Sequence, residues 1–273
     1  MDHRPQAWGR PRDDVYGAYD NSYLQSSGPK QATQSPIVTG TSVIALKFKD
    51  GVVMAADNLA SYGSLARFTD VPRLRSFAST SVVGFGGDVS DMQYLNRHLT
   101  DLSIDEAYSS STTTTSPQDS SSTTGTLNAA NLHKYLQKLL YSRRNNFDPL
   151  WNQVLVAGLD SSERPFLASV DMRGTAFTSP SLATGFGAAL AQPIMRRYAE
   201  TEEQAARLTR EEAVAVVKEC MKVLFYRDAR SLDRYSLAVV TKEGGVEISE
   251  DETLEKQSWA FAERIKGYGT QTV

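Results

Sequence analysis

The stretch Gly40-Thr41-Ser42-Val43-Ile44-Ala45-Leu46-Lys47-Phe48-Lys49-Asp50-Gly51-Val52-Val53-Met54-Ala55-Ala56-Asp57 decides how this chain is read. Residues 42–48 are rich in apolar and β-branched types, which favours a strand. Lys49-Asp50-Gly51 supplies a turn, with Gly51 able to adopt a positive φ at no steric cost. Residues 52–56 are a short unbroken apolar run, the pattern of a strand buried on both faces. The hairpin opens on a Gly-Thr step and closes on an aspartate. Thr41 then has two readings. It is a nucleophile freed by cleavage after Gly40, or it is a β-branched residue that opens a strand.

Composition narrows the chemistry. A chain of 273 residues can bury a sizeable core in one or two domains. A hydrophobic share of 40% with 22% charged residues fits a soluble globular chain. Net charge is −3 and no basic face dominates, which argues against a nucleic-acid partner. Arg143-Arg144 and Arg196-Arg197 lie in helical patterns and read as solvated helix faces. Cys220 is the only cysteine, so an intramolecular disulfide and a Cys-rich metal site are excluded, and the usage fits a reducing compartment. Its apolar helical surroundings, Ala215 to Met221, make it a buried thiol rather than a nucleophile. The histidines are His3, His98 and His133, and none lies near a Gly-x-Ser-x-Gly turn, so a Ser-His-Asp triad is not expected. There is no long apolar run for a membrane span and no apolar core for a secretory signal near the start. No cofactor or metal is expected.

Along the chain, residues 1–32 are polar and aperiodic and read as a disordered leader. The main domain is expected over 33–249. A strand from about Ser81 to Phe85 runs into Gly86-Gly87-Asp88, with Asp88 as candidate N-cap of a helix from Val89 to about Leu102. Met92, Leu95, Leu99 and Leu102 give that helix an apolar face. Residues 109–126 are dominated by Ser and Thr and read as an inserted mobile loop. A helix from about Asn128 to Arg144 follows, then strands over Asn152–Asp160, Pro165–Asp171 and Gly174–Thr178. Helices are expected over about Ala188–Glu200 and Arg210–Asp228, and a last hairpin over Tyr235–Thr241 and Gly245–Ile248. Strands, two helices, strands, two helices, strands imply two packed sheets covered by helices on each side, an α+β layered domain.

The tail, 250–273, carries Leu254, Trp259, Phe261, Ile265 and Tyr268, a set of large apolar groups that needs a surface to bury it. It either docks back on its own domain or reaches onto a partner, and these five residues are expected at an interface with a partner. Leu254, Phe261 and Ile265 share one helical face at spacings of seven and four.

Several separated motifs agree in order and spacing with one family. The hairpin 41–57, Gly84-Phe85-Gly86-Gly87-Asp88, Ala183-Thr184-Gly185-Phe186-Gly187 and Arg227-Asp228-Ala229-Arg230-Ser231 resemble the β subunits of the proteasome. Thr33 to Ile44 and the tail Trp259 to Gln271 are most similar to the β type-4 branch, the seventh β position of the ring. The resemblance covers residue 33 to the end, apart from the Ser/Thr insertion.

That resemblance implies a four-layer αββα sandwich of the N-terminal nucleophile hydrolase type. It also implies seven-membered rings, with neighbouring β subunits, α-ring subunits and opposite-ring β subunits as partners. Residence in cytoplasm and nucleus, and a part in ATP- and ubiquitin-dependent degradation, go with it. In active members a threonine freed at the first strand attacks the peptide carbonyl, helped by its own α-amine. By motif the nucleophile position is Thr41, the first aspartate Asp57, and the distant pair Asp228 and Ser231. The lysine position sixteen residues after Asp57 holds Arg73, which cannot shuttle a proton and whose bulk is expected to crowd the nucleophile. Gly185-Phe186-Gly187-Ala188 replaces a Gly-Ser-Gly-Ser element, and Leu59 stands where active members carry a polar residue. The resembled branch is trimmed upstream of the threonine, which places the cleavage between Ala32 and Thr33 and leaves Thr41 internal. A non-catalytic subunit is therefore expected. An active threonine endopeptidase and a free-standing hydrolase of small amides are the alternatives. Arg73 speaks against the first of these and the apolar tail against the second.

Overall fold

The computed structural model of the chain describes residues 35–77, 79–112, 127–255, 257–260 and 262. The leader, the Ala32–Thr33 step, most of the Ser/Thr insertion and Phe261, Ile265 and Tyr268 lie outside the described residues.

The opening hairpin forms as β2 (Val43–Phe48) and β3 (Gly51–Asp57), both buried along their whole length. Gly51 is needed for a different reason from the one expected. Its φ is not positive. A Cβ there would lie 1.9 Å from the carbonyl oxygen of Val240, so the glycine permits close strand approach.

Two wholly antiparallel sheets are built around this hairpin. The smaller runs β11 (Ser181–Ala183), β2, β3, β12 (Arg234–Thr241) and β13 (Gly245–Thr253). The larger contains β1 (Val38–Gly40), β4 (Ala60–Tyr62), β5 (Leu65–Phe68), β6 (Leu74–Phe77), β7 (Ser81–Asp88), β8 (Asn152–Leu159), β9 (Pro165–Val170) and β10 (Ala176–Thr178). Its order is β10-β9-β8-β7-β1-β4-β5, with β6 also paired to β7. One edge of β7 is therefore shared, β6 taking residues 81–84 and β1 residues 87–88.

Alternation along the strands sorts the core into three apolar layers. Val43, Ala45, Val52 and Met54 point between the sheets, against Val82, Leu155 and Leu167 of the larger one. Ile44, Leu46, Val53 and Ala55 point the other way, onto Val217, Cys220 and Leu224 of α6 (Arg210–Arg227). Val83, Phe85, Val154 and Val156 meet Leu95 and Leu99 of α1 (Val89–Thr112) and Leu132 and Leu136 of α2 (Ala129–Asn145). Each Val, Leu, Ile, Phe or Met side chain among these contributes roughly 1.5–3 kcal/mol on burial. A one-residue slip of β2 would exchange its two faces, so the register is strongly specified.

The caps follow the sequence. Asp88 Oδ1 accepts from Ser90 N at 2.8 Å and Asp91 N at 3.2 Å. Asn128 caps α2, and Thr209 with Glu212 forms a capping box on α6. Several boundaries are corrected. α1 continues past Leu102 to Thr112, into the expected insertion. The single helix expected over 188–200 is broken into α3 (Gly187–Leu190) and α4 (Gln192–Arg196), with Pro193 in the first turn of α4, and α5 (Glu202–Ala205) follows. β13 extends to Thr253, so the domain does not end at 249. The β4–β5 hairpin and β11 were not anticipated.

Cys220 is fully buried, and its Sγ donates to the Ala191 carbonyl at 3.7 Å. Burial pushes the thiol up to about 12. The native chain is expected to resist alkylation by iodoacetamide at pH 8 and to react once denatured. Labelling of the native chain, read by intact mass, would contradict this placement.

Candidate functional site

The start of β2, the end of β3 and the end of α6 converge on Thr41. Its Oγ1 donates to Asp228 Oδ2 at 2.5 Å. Asp228 is the C-cap of α6 and is buried, and its other oxygen accepts from Arg230 N at 2.9 Å. Asp57 closes β3, and its Oδ2 accepts from Leu232 N at 3.2 Å. Thr41, Asp57 and Asp228, spread over nearly 190 positions of chain, are thus brought together.

Arg73 sits at the centre of this cluster with 1% of its surface exposed. Its guanidinium pairs with Asp57 Oδ1. Nε donates to Asp57 O at 2.9 Å, Nη1 to Thr41 O at 2.9 Å and Phe85 O at 3.2 Å, and Nη2 to Ser42 O at 3.0 Å. The bonds run to backbone carbonyls of Thr41 and Ser42, while the Thr41 hydroxyl turns to Asp228. Arg73 therefore ties strand ends together, a correction to the expected crowding of the nucleophile. Its side chain fills the space above Gly40, where a Cβ would lie 2.5 Å from Arg73 Cδ.

Burial drives the Asp57 carboxyl up to about 6, more than the attraction and hydrogen bond of Arg73 pull it down, and the charge of Asp228 adds to the rise. Arg73 is the counter-ion of this buried carboxyl. Ser231 is near but not aimed at Thr41. Its Oγ lies 2.7 Å from the Asp228 carbonyl and 3.2 Å from that of Leu224, so it closes the last turn of α6.

The Gly185–Ala188 loop is also structural. Gly185 has φ +58°, Gly187 N donates to Ser42 Oγ at 2.8 Å, and Thr184 Oγ1 accepts from Val43 N at 2.9 Å. Phe186 is exposed and, with Thr41, Trp151, Met172 and Arg230, lines an open cleft of about 500 Å³. On the other side of Thr41, a niche of about 10 Å³ is lined by Asp57, Met221, Leu224, Phe225, Ser231 and Leu232. That niche offers no amine or imidazole to take a proton from the Thr41 hydroxyl. Sequence reasoning missed Ser42, Thr184 and Asn152, whose Nδ2 donates to the carbonyls of Gly86 and Asp88 at 3.0 and 2.9 Å. Their partners lie far away in sequence, so no local signal marks them.

Leu254 belongs to the core beside α6, and its N donates to Asp233 O at 3.0 Å. This corrects its expected place at a subunit interface. Trp259 packs on Tyr226 and Phe225, with ring centroids 5.1 and 6.2 Å away, and keeps half its surface exposed. Among the described residues no cluster of His, Cys, Asp and Glu is arranged to hold a metal, and no helix is long and apolar enough to cross a membrane.

Comparison with known proteins bears on the same residues. Residues 37–240 match the family model for the proteasome subunit. The chain is 46% identical to the probable proteasome subunit beta type-7 of Schizosaccharomyces pombe, over 98% of this chain and 97% of that protein. It is 42% identical to the proteasome subunit beta type-7 of Saccharomyces cerevisiae over the full length of both. To the proteasome subunit beta type-4 of Xenopus laevis it is 41% identical, over 89% of this chain and 93% of that one.

Proposed function

The chain belongs to the proteasome subunit family, among its β subunits, and we propose that it serves the 20S core as a non-catalytic, structural member. The fold is read as the αββα sandwich of N-terminal nucleophile hydrolases. The observation that carries this reading is β1. Residues 38–40, just upstream of Thr41, are woven into the larger sheet: Thr39 faces both Ser61 of β4 and Asp88 of β7, and Gly40 faces Gly87. β4 and β5 join that sheet only through β1 among the described residues. A mature chain that keeps β1 has an amide at Thr41, without the basic lone pair an N-terminal threonine would use. Both edges of β1, to which an extended peptide could otherwise add, are taken by β4 and β7.

Arg73 supports the same reading. Its guanidinium, a permanent cation fixed by backbone carbonyls, cannot relay a proton. The leader is then removed near Thr33. The subunit contributes surface to neighbouring β subunits, the α ring and the opposite β ring, in cytoplasm and nucleus, for ATP- and ubiquitin-dependent degradation. The tail beyond Trp259 reaches onto a partner subunit.

One observation favours an active threonine endopeptidase, the convergence of Thr41 on Asp228. Thr41→Ala separates the two. Core particles carrying it are expected to keep every peptidase activity within about twofold, since a lost nucleophile costs orders of magnitude. Selective loss of one cleavage preference in normally assembled particles would establish catalysis at Thr41.

A further inference from the structure

The end of α2 carries an exposed aromatic ring on a left-handed backbone. The helix closes in a Schellman motif: Phe147 N donates to Arg144 O at 3.1 Å and Asp148 N to Arg143 O at 3.0 Å. The residue after the cap takes a left-handed conformation, a place that favours Gly or Asn. Here it is Phe147, with φ 54°, although Asn145 and Asn146 stand directly before it. Its ring is also 80% exposed. A left-handed backbone at a non-glycine residue costs stability, and among the described residues no ring contact offsets that cost at Phe147. The loop is held by the two backbone bonds and by the Arg143–Asp148 ion pair at 2.9 Å.

The helix leading to this ring has an unusual charge balance. Ala129–Asn145 contains Lys134, Lys138, Arg143 and Arg144 and no Asp or Glu. Lys134, Lys138 and Tyr141 fall at spacings of four and three on one exposed face that continues to Arg144. The Arg144 guanidinium carbon lies 5.6 Å from the Tyr141 ring centroid. Among the described residues, no ion pair engages Lys134, Lys138 or Arg144.

From this geometry we infer that Phe147 is a docking knob. It inserts into an apolar socket on another protein, and the basic stripe of α2 meets carboxylates rimming that socket. A buried aromatic anchor ringed by charge is the pattern of a dominant interface contact. The chain's net charge of −3 disfavours a nucleic acid here. The inference rests on the reading of this chain as one subunit of an assembly.

Two measurements on the full chain test it. Phe147→Gly relieves the strained backbone, so the melting temperature should rise by about 2–4 °C. Incorporation into core particles, read on native gels, should fall at least about tenfold. A merely structural role for the ring predicts a lower melting temperature, and unchanged incorporation would overturn the docking role. In the second measurement p-benzoylphenylalanine replaces Phe147 in assembled particles. Irradiation should give one adduct, on a neighbouring subunit, at an apolar site flanked by Asp or Glu. An adduct within the same chain, an adduct carrying nucleotide, or none would overturn the inference. If the chain is recovered in a complex other than the core particle, the functional reading fails, and the crosslink is read in that complex by the same criteria.

Discussion

Replacing Arg73 by methionine is expected to lower the melting temperature of the chain by roughly 6–20 °C at pH 7. Removing one partner of a buried ion pair costs about 3–5 kcal/mol, and a chain of this size loses about 2–4 °C per kcal/mol. Asp57 would stay buried beside Asp228 without its counter-ion, and the carbonyls of Thr41, Ser42 and Asp57 would lose their donors. The loss should depend on pH. The folded carboxyl of Asp57 titrates at about 6, against 3.8 for its unperturbed value. The fold therefore holds this proton more tightly than the unfolded chain does. The stability it contributes is complete below about 3.8 and is lost as pH rises through about 6. Without the attraction of Arg73 the folded value moves higher, and the loss extends through neutrality. The deficit of the methionine variant should be larger at pH 8 than at pH 5, measured by thermal melts across pH. An equal deficit at both would show that the ion pair is not its source. Adding Asp57→Asn should recover much of the loss at pH 8, because no charge then remains to be buried.

Periodicity and local chemistry were enough for the elements that carry their own signal. β2 and β3 announce themselves by continuous apolar runs, α2 by leucines at helical spacing, and the start of α1 by the capping Asp88. Elements that exist only through distant partners were not readable. β1 and β4 are three residues long and stand because each is wedged between other strands. β5 is exposed along its length, so it has no alternation to detect. The site shows the same division. The family resemblance assigned Thr41, Asp57 and Asp228 to one site and put Arg73, which cannot act as a base, at the lysine position. It did not say that the guanidinium would bond to carbonyls of residues 41, 42, 57 and 85, because three strands must first converge. Leu254 was misplaced for a similar reason. An apolar residue near a chain end looks unpartnered until β13 is seen to deliver it to the core.

A chain made to begin at Thr41, by fusion behind a cleavable ubiquitin, should gain no peptidase activity and should lose part of its fold. Removal of residues 1–40 deletes β1, and with it the pairings to Ser61, Tyr62, Gly87 and Asp88. It also removes the bond from Ile37 N to Asp88 Oδ2 at 3.0 Å. β4 and β5 would then be a two-stranded hairpin with no neighbour, and such hairpins are marginal in water. Limited proteolysis should cut between residues 59 and 70 faster than in the full-length chain, where β1 pairs with β4. The new α-amine would have a pKa of about 7.7–8.0 before any perturbation. It would lie near Arg73, whose Nη1 bonds to Thr41 O, so a permanent cation would stand there in place of a group that can take a proton. The Thr41 hydroxyl would remain turned to Asp228. Turnover of fluorogenic peptides by particles carrying this chain is expected to match that of wild-type particles. A new activity that Thr41→Ala abolishes would mean that β1 alone holds the subunit inactive, and that Arg73 is no barrier to catalysis.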